Sequence, residues 1–340
     1  MTGNHMTTPR RGIGLTPMET RRDIIVNMAI LADELGYELF VVPEGWGFDS
    51  TVILTEIALK TQRIKLMAGI LSIWGRTPAT IAMNAATLAD VSDGRYILGL
   101  GASTPALVEG FHDRVFHQPA KTLRTVTTAV RQLLAGERAL LDNPTGSKAL
   151  RLGQPARPEL PIYIAAMGKR ATHVAAELAD GWFPIYVPRD RYPAKIDELL
   201  QVRKSTGQRP GEFTVLAFPG LAVNSDEGRA REVAATNLAW YLCAMGDVYA
   251  KFVSAQGYAD EVAAVIAANP KPSPSRGVIP QDAQVLLDQL TVYGSPDKVR
   301  EELLTWDEAA DIPVLAIAPG LPWNEVKAIM LAGAPEAVAT

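Results

Sequence analysis

Short apolar runs alternate along the chain with longer segments in which apolar residues recur at helical spacing. In residues 22–35, Ile24, Met28 and Leu31 share one helical face, and Gly36 follows as a stop signal. Alternation of this kind is typical of β–α–β units and predicts a parallel sheet. The predicted strands cover residues 12–15, 39–42, 64–70, 96–100, 162–166, 181–185, 214–223 and 314–317.

The connecting helices are predicted at residues 22–35, 50–60, 78–91, 121–135, 170–178 and 194–204. Because eight strands joined by helices close naturally into a barrel, we expect an α/β protein with a (β/α)8 TIM-barrel fold. Such a barrel needs about 250 of the 340 residues. An alanine-rich helical stretch and a proline-rich loop form a predicted late insertion at about residues 226–298. We expect a single domain over residues 12–340, preceded by a disordered leader at residues 1–11.

The rival α/β architecture is a doubly wound sheet that binds a dinucleotide through a G-x-G-x-x-G turn. Gly99 and Gly101 start such a pattern, but Thr104 occupies the third glycine position. The sequence also contains no P-loop, no H-E-x-x-H helix and no G-x-S-x-G elbow. These absences favour the barrel over a dinucleotide fold, a nucleotide hydrolase, a zinc protease or a serine hydrolase.

Composition narrows the classes of partner. The 33 Lys and Arg residues against 37 Asp and Glu residues give a net charge of −4, so we expect no nucleic-acid or membrane partner. A single cysteine, Cys243, excludes an intramolecular disulfide framework and a cysteine metal site, and favours a reducing compartment. The sequence therefore predicts a cytoplasmic protein that acts on a small molecule and binds no metal.

In a parallel barrel the active site is built at the carboxyl ends of the strands. Glu44 and Trp46 follow the second predicted strand on a glycine-flanked loop, where a carboxylate and an indole could bind a ring and move a proton. The alternative is that Trp46 packs and that Asp49 or Ser50 caps the next helix. Gly69 interrupts an apolar run at the end of the third strand, which indicates a bulge or a close approach to a ligand.

Small residues follow the fourth predicted strand. The amides of Gly101, Ala102 and Ser103 could approach an anion, although such glycines often serve only a turn. Downstream, Glu109 and His112 add titratable side chains, and a lone histidine is more often structural than catalytic.

The fifth predicted strand leads into a helix start at Ala166, Met167, Gly168, Lys169 and Arg170. Two cations in the first turn oppose the helix dipole, so a bound anion would explain their placement. The alternative is a solvated Lys–Arg pair. We expect a phosphate site here.

A longer motif carries a family resemblance. Residues 88–101 read LADVSDGRYILGLG and resemble the L-x-x-(L/V)-S-x-G-R-x-x-L-G-L-G string of the bacterial-luciferase-like flavin- and deazaflavin-dependent oxidoreductases. The resemblance covers residues 12–185 and, more weakly, 292–319, and the ADGWFP string at residues 179–184 also matches. The E-x-W-G-x-D string from Glu44 to Asp49 and the WGRTPA string at residues 74–79 are similar to the branch assigned to coenzyme F420.

The resemblance implies a TIM barrel, a homodimer and a cofactor ring at the strand ends. It places the family's non-proline cis peptide at Gly69–Ile70 and the acid that faces the ring at Glu44. It places the cofactor phosphate and ribityl chain against residues 101–103 and 166–170. From its place on the loop after the second strand, we also expect Trp46 to bind the cofactor.

Two positions depart from the family pattern. Gly45 stands where many members carry a histidine for proton transfer, and Glu109 and His112 are the substitutes expected to act beside Glu44. Ala102 and Ser103 stand where luciferase-type members have an arginine for the FMN phosphate. The second departure favours F420 over FMN.

Three functions follow from these observations. The leading hypothesis is an F420-dependent oxidoreductase that transfers hydride between the deazaflavin and a small organic substrate. The alternatives are an FMN-dependent monooxygenase that uses reduced FMN and dioxygen, and a catalytically silent flavin-binding barrel. The insertion carries a stripe that could line the substrate pocket or serve as core or a dimer contact, formed by Trp240, Tyr241, Met245, Tyr249 and Phe252.

Overall fold

The computed structural model describes residues 9–139, 146–206 and 211–335. Most of the predicted leader, residues 1–8, lies outside this range. The end of that predicted leader is held in the fold, because Arg10 pairs with Glu38 at 2.7 Å and Arg11 pairs with Asp307 at 2.5 Å. Ordered contacts therefore begin before the first strand.

Within the described residues, eleven parallel-paired strands form one sheet. They are β1 (Gly12–Leu15), β2 (Leu39–Val42), β3 (Lys65–Ala68), β4 (Leu71–Ser72), β5 (Tyr96–Gly101), β6 (Ile162–Ala165), β7 (Gly181–Trp182), β8 (Thr214–Ala217), β9 (Gly220–Val223), β10 (Thr291–Gly294) and β11 (Ile312–Ile317). Eight of them, β1, β2, β3, β5, β6, β7, β8 and β11, close a barrel in which Gly12 of β1 lies opposite Val314 of β11. The predicted TIM barrel is confirmed.

Helices surround the barrel. They are α1 (Arg22–Glu34), α2 (Ser50–Lys60), α3 (Pro78–Val91), α4 (Pro105–Gly110), α5 (Pro119–Leu134), α6 (Lys169–Leu178), α7 (Tyr192–Ser205), α8 (Glu227–Ala244), α9 (Val248–Val253), α10 (Ala259–Ala268), α11 (Gln284–Leu290), α12 (Pro296–Ala309) and α13 (Trp323–Gly333). The six predicted helices correspond to α1, α2, α3, α5, α6 and α7, with ends that differ by no more than two residues. Among the described helices, none has the length and apolar character needed to cross a bilayer.

Three predicted strands differ from the observed ones. The run at 64–70 is broken by a cis peptide bond between Gly69 and Ile70, so that β3 ends at Ala68 and β4 resumes at Leu71. The run at 214–223 divides into β8 and β9 around Pro219, which lacks the N–H group that a continuous ladder needs. The run at 181–185 pairs only over Gly181–Trp182.

Besides β4, one more strand lies outside the runs predicted from the sequence. Strand β10 covers only Thr291–Gly294 and pairs with β9 outside the closed barrel. The described chain between β9 and β10 contains α8, α9, α10 and α11, which lie within the predicted insertion. These helices pack around their own apolar cluster, which includes Leu238, Val253 and Leu287.

The barrel interior is filled by side chains, including Leu39, Val41, Met67 and Val314. The close contact of β3 and β5 depends on Gly99, because a Cβ atom there would lie 1.9 Å from the Ala68 carbonyl oxygen. Above this packed interior, the loops at the carboxyl ends of the strands surround an open space.

Candidate active site

A cavity of about 1100 Å³ opens at the carboxyl ends of the barrel strands. Ligand pockets usually measure about 300–1,000 Å³, so the volume is sufficient for a cofactor together with a substrate. Twelve of the fourteen predicted site residues line it: Glu44, Trp46, Gly69, Ile70, Gly101, Ala102, Ser103, Ala166, Met167, Gly168, Lys169 and Arg170. Strand ends that are distant in sequence therefore converge on one space.

Glu44 is the acidic side chain of this lining, and it is held firmly. Both of its oxygens accept hydrogen bonds from the Arg76 guanidinium, with Nη2 at 2.7 Å from Oε2, and the Ser50 hydroxyl donates to Oε2 at 3.3 Å. The carboxylate side chain is 8% exposed, although it borders the cavity. The hydrogen bond that Arg76 donates to Glu44 raises the pKa of Arg76 further above its usual range. Glu44 is thus fixed as a hydrogen-bond acceptor at the cavity wall.

Asp49 completes this polar cluster. Its side chain accepts hydrogen bonds from the backbone of Thr51 at 2.9 Å and from Nη2 of Arg76 at 2.7 Å. Burial opposes ionisation of Asp49, but the bonds from Thr51 and Arg76 outweigh it and lower the pKa. The capping role proposed for Asp49 is confirmed, and the same carboxylate ties the start of α2 to Arg76.

Gly45 has a structural reason to lack a side chain. A Cβ atom at this position would lie 2.7 Å from Cβ of Pro17, which is closer than two carbon atoms can pack. The loop after β1 therefore occupies the space that a histidine would need. Trp46, next in sequence, stands at the cavity rim and is 46% exposed.

The Gly69–Ile70 peptide bond is cis, as the family resemblance implies. A Cβ atom at Gly69 would lie 2.3 Å from Val41, and one at Gly101 would lie 2.7 Å from Cδ1 of Ile70. The two glycines therefore allow Ile70 to lie across the barrel mouth as an apolar floor. Phe183, from the loop after β7, approaches the same bulge.

Glu109 and His112 do not line the cavity. Oε1 of Glu109 accepts a hydrogen bond from the Phe116 amide at 3.1 Å, and the His112 ring packs on the backbone of Gly75. Nε2 of His112 is buried without a hydrogen-bond partner in the part of the chain that the structure describes. Helix α4 directs Leu107 to the cavity and Glu109 away from it, and His112 lies in the turn that follows the helix, so the geometry gives no support to a catalytic role for either.

Three cations surround the opposite end of the cavity. Lys169 and Arg170 occupy the first turn of α6, which follows Gly168, and Lys121 lies in the first turn of α5. Among the described residues, none of the three makes an ion pair, and all three are exposed. The free amides of a helix first turn add to their positive potential. This end of the cavity fits a phosphate. Lys121 was not singled out in the sequence, although, like Lys169, it is a cation in the first turn of a helix.

Trp74 fixes the loop that follows β5. Its indole N–H donates to the Ala102 carbonyl at 2.9 Å, and its ring contacts Phe116 at a centroid distance of 5.8 Å. Ser103 beside it has a φ angle of +59°, which is uncommon for a residue with a side chain. The WGRTPA string therefore serves the site through both Trp74 and Arg76.

The insertion supplies another wall. Of the predicted stripe, Tyr241, Met245 and Tyr249 line the cavity, whereas Trp240 and Phe252 do not. Phe183 and Phe218 join them from the loops after β7 and β8, although neither was singled out in the sequence. Phe218 could have been found from the proline that follows it, because that proline marks the end of β8 and the active site lies at the strand ends.

Comparison with known proteins agrees with this architecture. A sequence model of the family described as luciferase-like monooxygenase matches residues 1–311. A protein of Mycobacterium tuberculosis named as a candidate coenzyme F420-dependent oxidoreductase is 30% identical, over 90% of this chain and 92% of that protein.

Two solved structures share the fold. The F420-dependent tetrahydromethanopterin reductase of Methanopyrus kandleri superposes with a TM-score of 0.74 at 21% identity, over 96% of this chain and 98% of that one. A Baeyer–Villiger monooxygenase from Pseudomonas putida in complex with FMN gives a TM-score of 0.71 at 15% identity, over 98% and 99% of the two chains.

Proposed function

Since the chain belongs to the luciferase-like monooxygenase family, we propose that it is an F420-dependent oxidoreductase that transfers hydride between the deazaflavin and a small organic substrate. The observation that carries the proposal is the cavity, which joins an apolar cis-peptide floor to a cationic helix start. The M. tuberculosis relative, named for F420, supports the choice of cofactor over nearly the full length of both chains.

The residues present fit such a cofactor. Ile70 offers an apolar surface for a flat ring, and the first turn of α6 with Lys169 and Arg170 offers donors and positive charge for a phosphate. Ala102 and Ser103 bring backbone amides to the connecting chain without a large side chain in the way. When bound, the deazaflavin supplies the ring carbon that carries hydride.

The chain's own residues hold the group that exchanges a proton and exclude water from the site. Glu44, fixed by Arg76 and Ser50, is the ionisable group that we assign to exchange a proton at the ring end of the cavity. Trp46 covers the rim, and Phe183 keeps the floor apolar, so that water is kept from the reacting atoms. With Gly45 closed against Pro17, no side chain from that position takes part.

The second candidate is an FMN-dependent monooxygenase. Its support is the structural likeness to the FMN-bound P. putida enzyme, which at 15% identity extends to the fold alone. Ala102 and Ser103, in place of an arginine, weaken the case for an FMN phosphate at that loop. The substrate under either reading is a small molecule.

We also propose a homodimer in the cytoplasm. Val52 and Leu59 project from one face of α2 and Met83 from the neighbouring α3, and the three are 66%, 70% and 54% exposed in the single chain. Exposed apolar clusters of this kind mark association surfaces. The single cysteine supports a reducing compartment.

Parallel cofactor titrations test the function. Fluorescence titration of the purified protein should give tight binding of F420 and weak binding of FMN. A panel of carbonyl and enone compounds should then oxidise reduced F420 in a protein-dependent way without oxygen uptake. Tight binding of FMN alone, with oxygen consumption in the presence of a flavin reductase, would instead establish the monooxygenase. Binding without turnover on any compound would favour the silent barrel.

A further inference from the structure

The cavity has two halves of different chemistry. The first, which we call the cofactor half, contains every charged side chain of the described lining: Glu44, Lys121, Lys169 and Arg170. The second, the aromatic half, is formed by Phe183, Ile185, Phe218, Tyr241, Met245, Val248 and Tyr249. No charged side chain lines the aromatic half within the part of the chain that the structure describes. Its strongly polar side-chain atoms are two phenol oxygens.

The aromatic half adjoins the place where the cofactor ring would lie. The Phe183 and Phe218 rings meet edge to face at a centroid distance of 5.4 Å and an interplanar angle of 87°. Cε1 of Phe183 would be 3.5 Å from a Cβ atom at Gly69, so this pair borders the Gly69–Ile70 bulge. A molecule held against the two phenylalanine rings is therefore next to Ile70, on which the deazaflavin ring would rest.

Three tyrosines stiffen the wall above the phenylalanines. Tyr186, Tyr241 and Tyr249 contact one another pairwise, with centroid distances of 5.3 Å, 5.5 Å and 5.6 Å. Tyr186 lies outside the lining, whereas Tyr241 and Tyr249 face the cavity. Tyr241 also borders a separate small void with Thr16 and Asn237. Tyr249 borders the main cavity and not that void.

Tyr249 is a hydrogen-bond donor without a partner in the described protein. Burial alone raises the pKa of its hydroxyl to about 12, and no protein hydrogen bond contributes. At neutral pH the phenol therefore keeps its proton. Because Tyr249 lines the cavity, an acceptor oxygen on a bound ligand would pair with this donor.

A charged substrate has no counter-charge in the aromatic half. Moving a charge from water into an apolar site is unfavourable unless an opposite charge or several hydrogen bonds compensate. The three cations that could pair with an anion lie in the cofactor half, where the proposed function assigns Lys169 and Arg170 to the cofactor phosphate. An uncharged molecule with one acceptor oxygen meets the chemistry that remains.

We infer that the aromatic half binds an uncharged, mainly apolar substrate whose carbonyl or hydroxyl oxygen accepts a hydrogen bond from Tyr249. The inference rests on the proposed function, because the cofactor occupies the other half. It adds a specificity residue and a substrate class to that function. Phosphorylated sugars and carboxylates are excluded from this half by the same argument.

The test compares three probes of nearly equal size: acetophenone, ethylbenzene and benzoate. Their dissociation constants are measured by ligand-observed NMR on the full chain saturated with oxidised F420. Acetophenone should bind best, ethylbenzene less tightly and benzoate least. The Tyr249→Phe variant should weaken acetophenone about threefold to tenfold, which corresponds to one neutral hydrogen bond, and leave ethylbenzene unchanged.

Tyr293→Phe is the matched control. Its hydroxyl accepts a hydrogen bond from Gln284 at 2.8 Å and lies outside the cavity lining, so neither probe should change affinity. Benzoate binding as tightly as acetophenone would overturn the inference. So would an equal effect of Tyr249→Phe on both neutral probes, or no effect on either.

A cofactor titration separates this inference from the proposed function. If F420 binds and the probe order fails, the function stands and the inference is wrong. If FMN binds and F420 does not, the F420 assignment is wrong, and the same probe series on the FMN complex decides the inference. If neither cofactor binds, acetophenone and ethylbenzene on the unliganded chain, with the Tyr249→Phe variant, decide it, because benzoate would then have access to the cations of the cofactor half.

Discussion

Arg76 holds Glu44 through both carboxylate oxygens, and the same guanidinium reaches Asp49 at the start of α2. The arrangement joins the loop after β2 to the segment that leads into α3. Because a planar guanidinium is needed to bind two oxygens of one carboxylate, Arg76 acts as a positioning residue for Glu44.

Removal of this fork should impair turnover more than cofactor binding. In Arg76→Ala and Arg76→Lys, we expect kcat to fall at least about tenfold because Glu44 is no longer held in place, while the F420 dissociation constant changes by less than about threefold. Steady-state kinetics and fluorescence titration measure the two quantities. The control is Arg22→Ala, which breaks an exposed pair with Glu56 and should change neither. Equal losses in binding and kcat would contradict a positioning role.

Introducing the family histidine at Gly45 should not create a proton donor. A Cβ atom there meets Pro17 at 2.7 Å, so Gly45→His must displace the loop after β1 and should destabilise the protein by about 1–3 kcal/mol. Chemical denaturation measures the loss. Gly153→Ala is the control, because nothing lies within 4 Å of its added Cβ and stability should be unchanged. A variant that is both stable and more active would show that the site tolerates this side chain.

The barrel and the site residues at its strand ends could be predicted from the sequence. Continuous apolar runs predicted the barrel, because a parallel strand is buried on both faces and needs no alternation. The strand ends then placed Glu44, Gly69 and Lys169 at one edge. Topology alone brings such residues together, so a sequence pattern is sufficient to find them.

The short helices and the turns could not be predicted from apolar patterns in the same way. Helix α4 has only six residues, and its rotational phase, which turns Glu109 from the cavity, cannot be read from so short a pattern; His112 lies in the turn after it. Strand β10 has four residues directly after α11 and lacks a separating turn signal. The wall around Tyr249 depends on how the insertion folds back over the barrel, which local spacing does not specify.

The cationic end of the cavity should govern cofactor affinity. In Lys169→Ala/Arg170→Ala, the loss of two charges near the phosphate should raise the F420 dissociation constant about tenfold and reduce its dependence on salt. Fluorescence titration at two ionic strengths measures both effects. Lys327→Ala, on α13 and outside the cavity lining, serves as the control with no expected change. An unchanged F420 affinity in the double variant would show that the cofactor phosphate binds elsewhere.

Acid should weaken the contact that fixes the start of the described chain. The hydrogen bond from Arg10, opposed by burial and aided by Lys65, lowers the pKa of Glu38 from 4.5 to about 2. A lowered pKa contributes stability that is complete above about pH 4.5 and is lost as the pH falls towards 2. Because the pair is partly solvated, we expect about 1 kcal/mol, measured by urea unfolding at pH 6 and pH 3. Glu38→Gln should show a smaller acid loss than the wild type, and an equal loss would contradict the assignment.

The apolar face of α2 and α3 should mediate self-association. Val52 and Leu59 are seven residues apart on α2, so they share a face, and Met83 lies on the adjacent α3. In Leu59→Glu, a charge placed in this contact should convert the proposed dimer to a monomer, because an unpaired charge cannot be buried at an apolar interface without compensation. Light scattering coupled to size-exclusion chromatography measures the mass. Leu304→Glu, on α12 with 56% exposure, is the control and should remain dimeric. A wild-type protein that is monomeric at micromolar concentration would contradict the proposal.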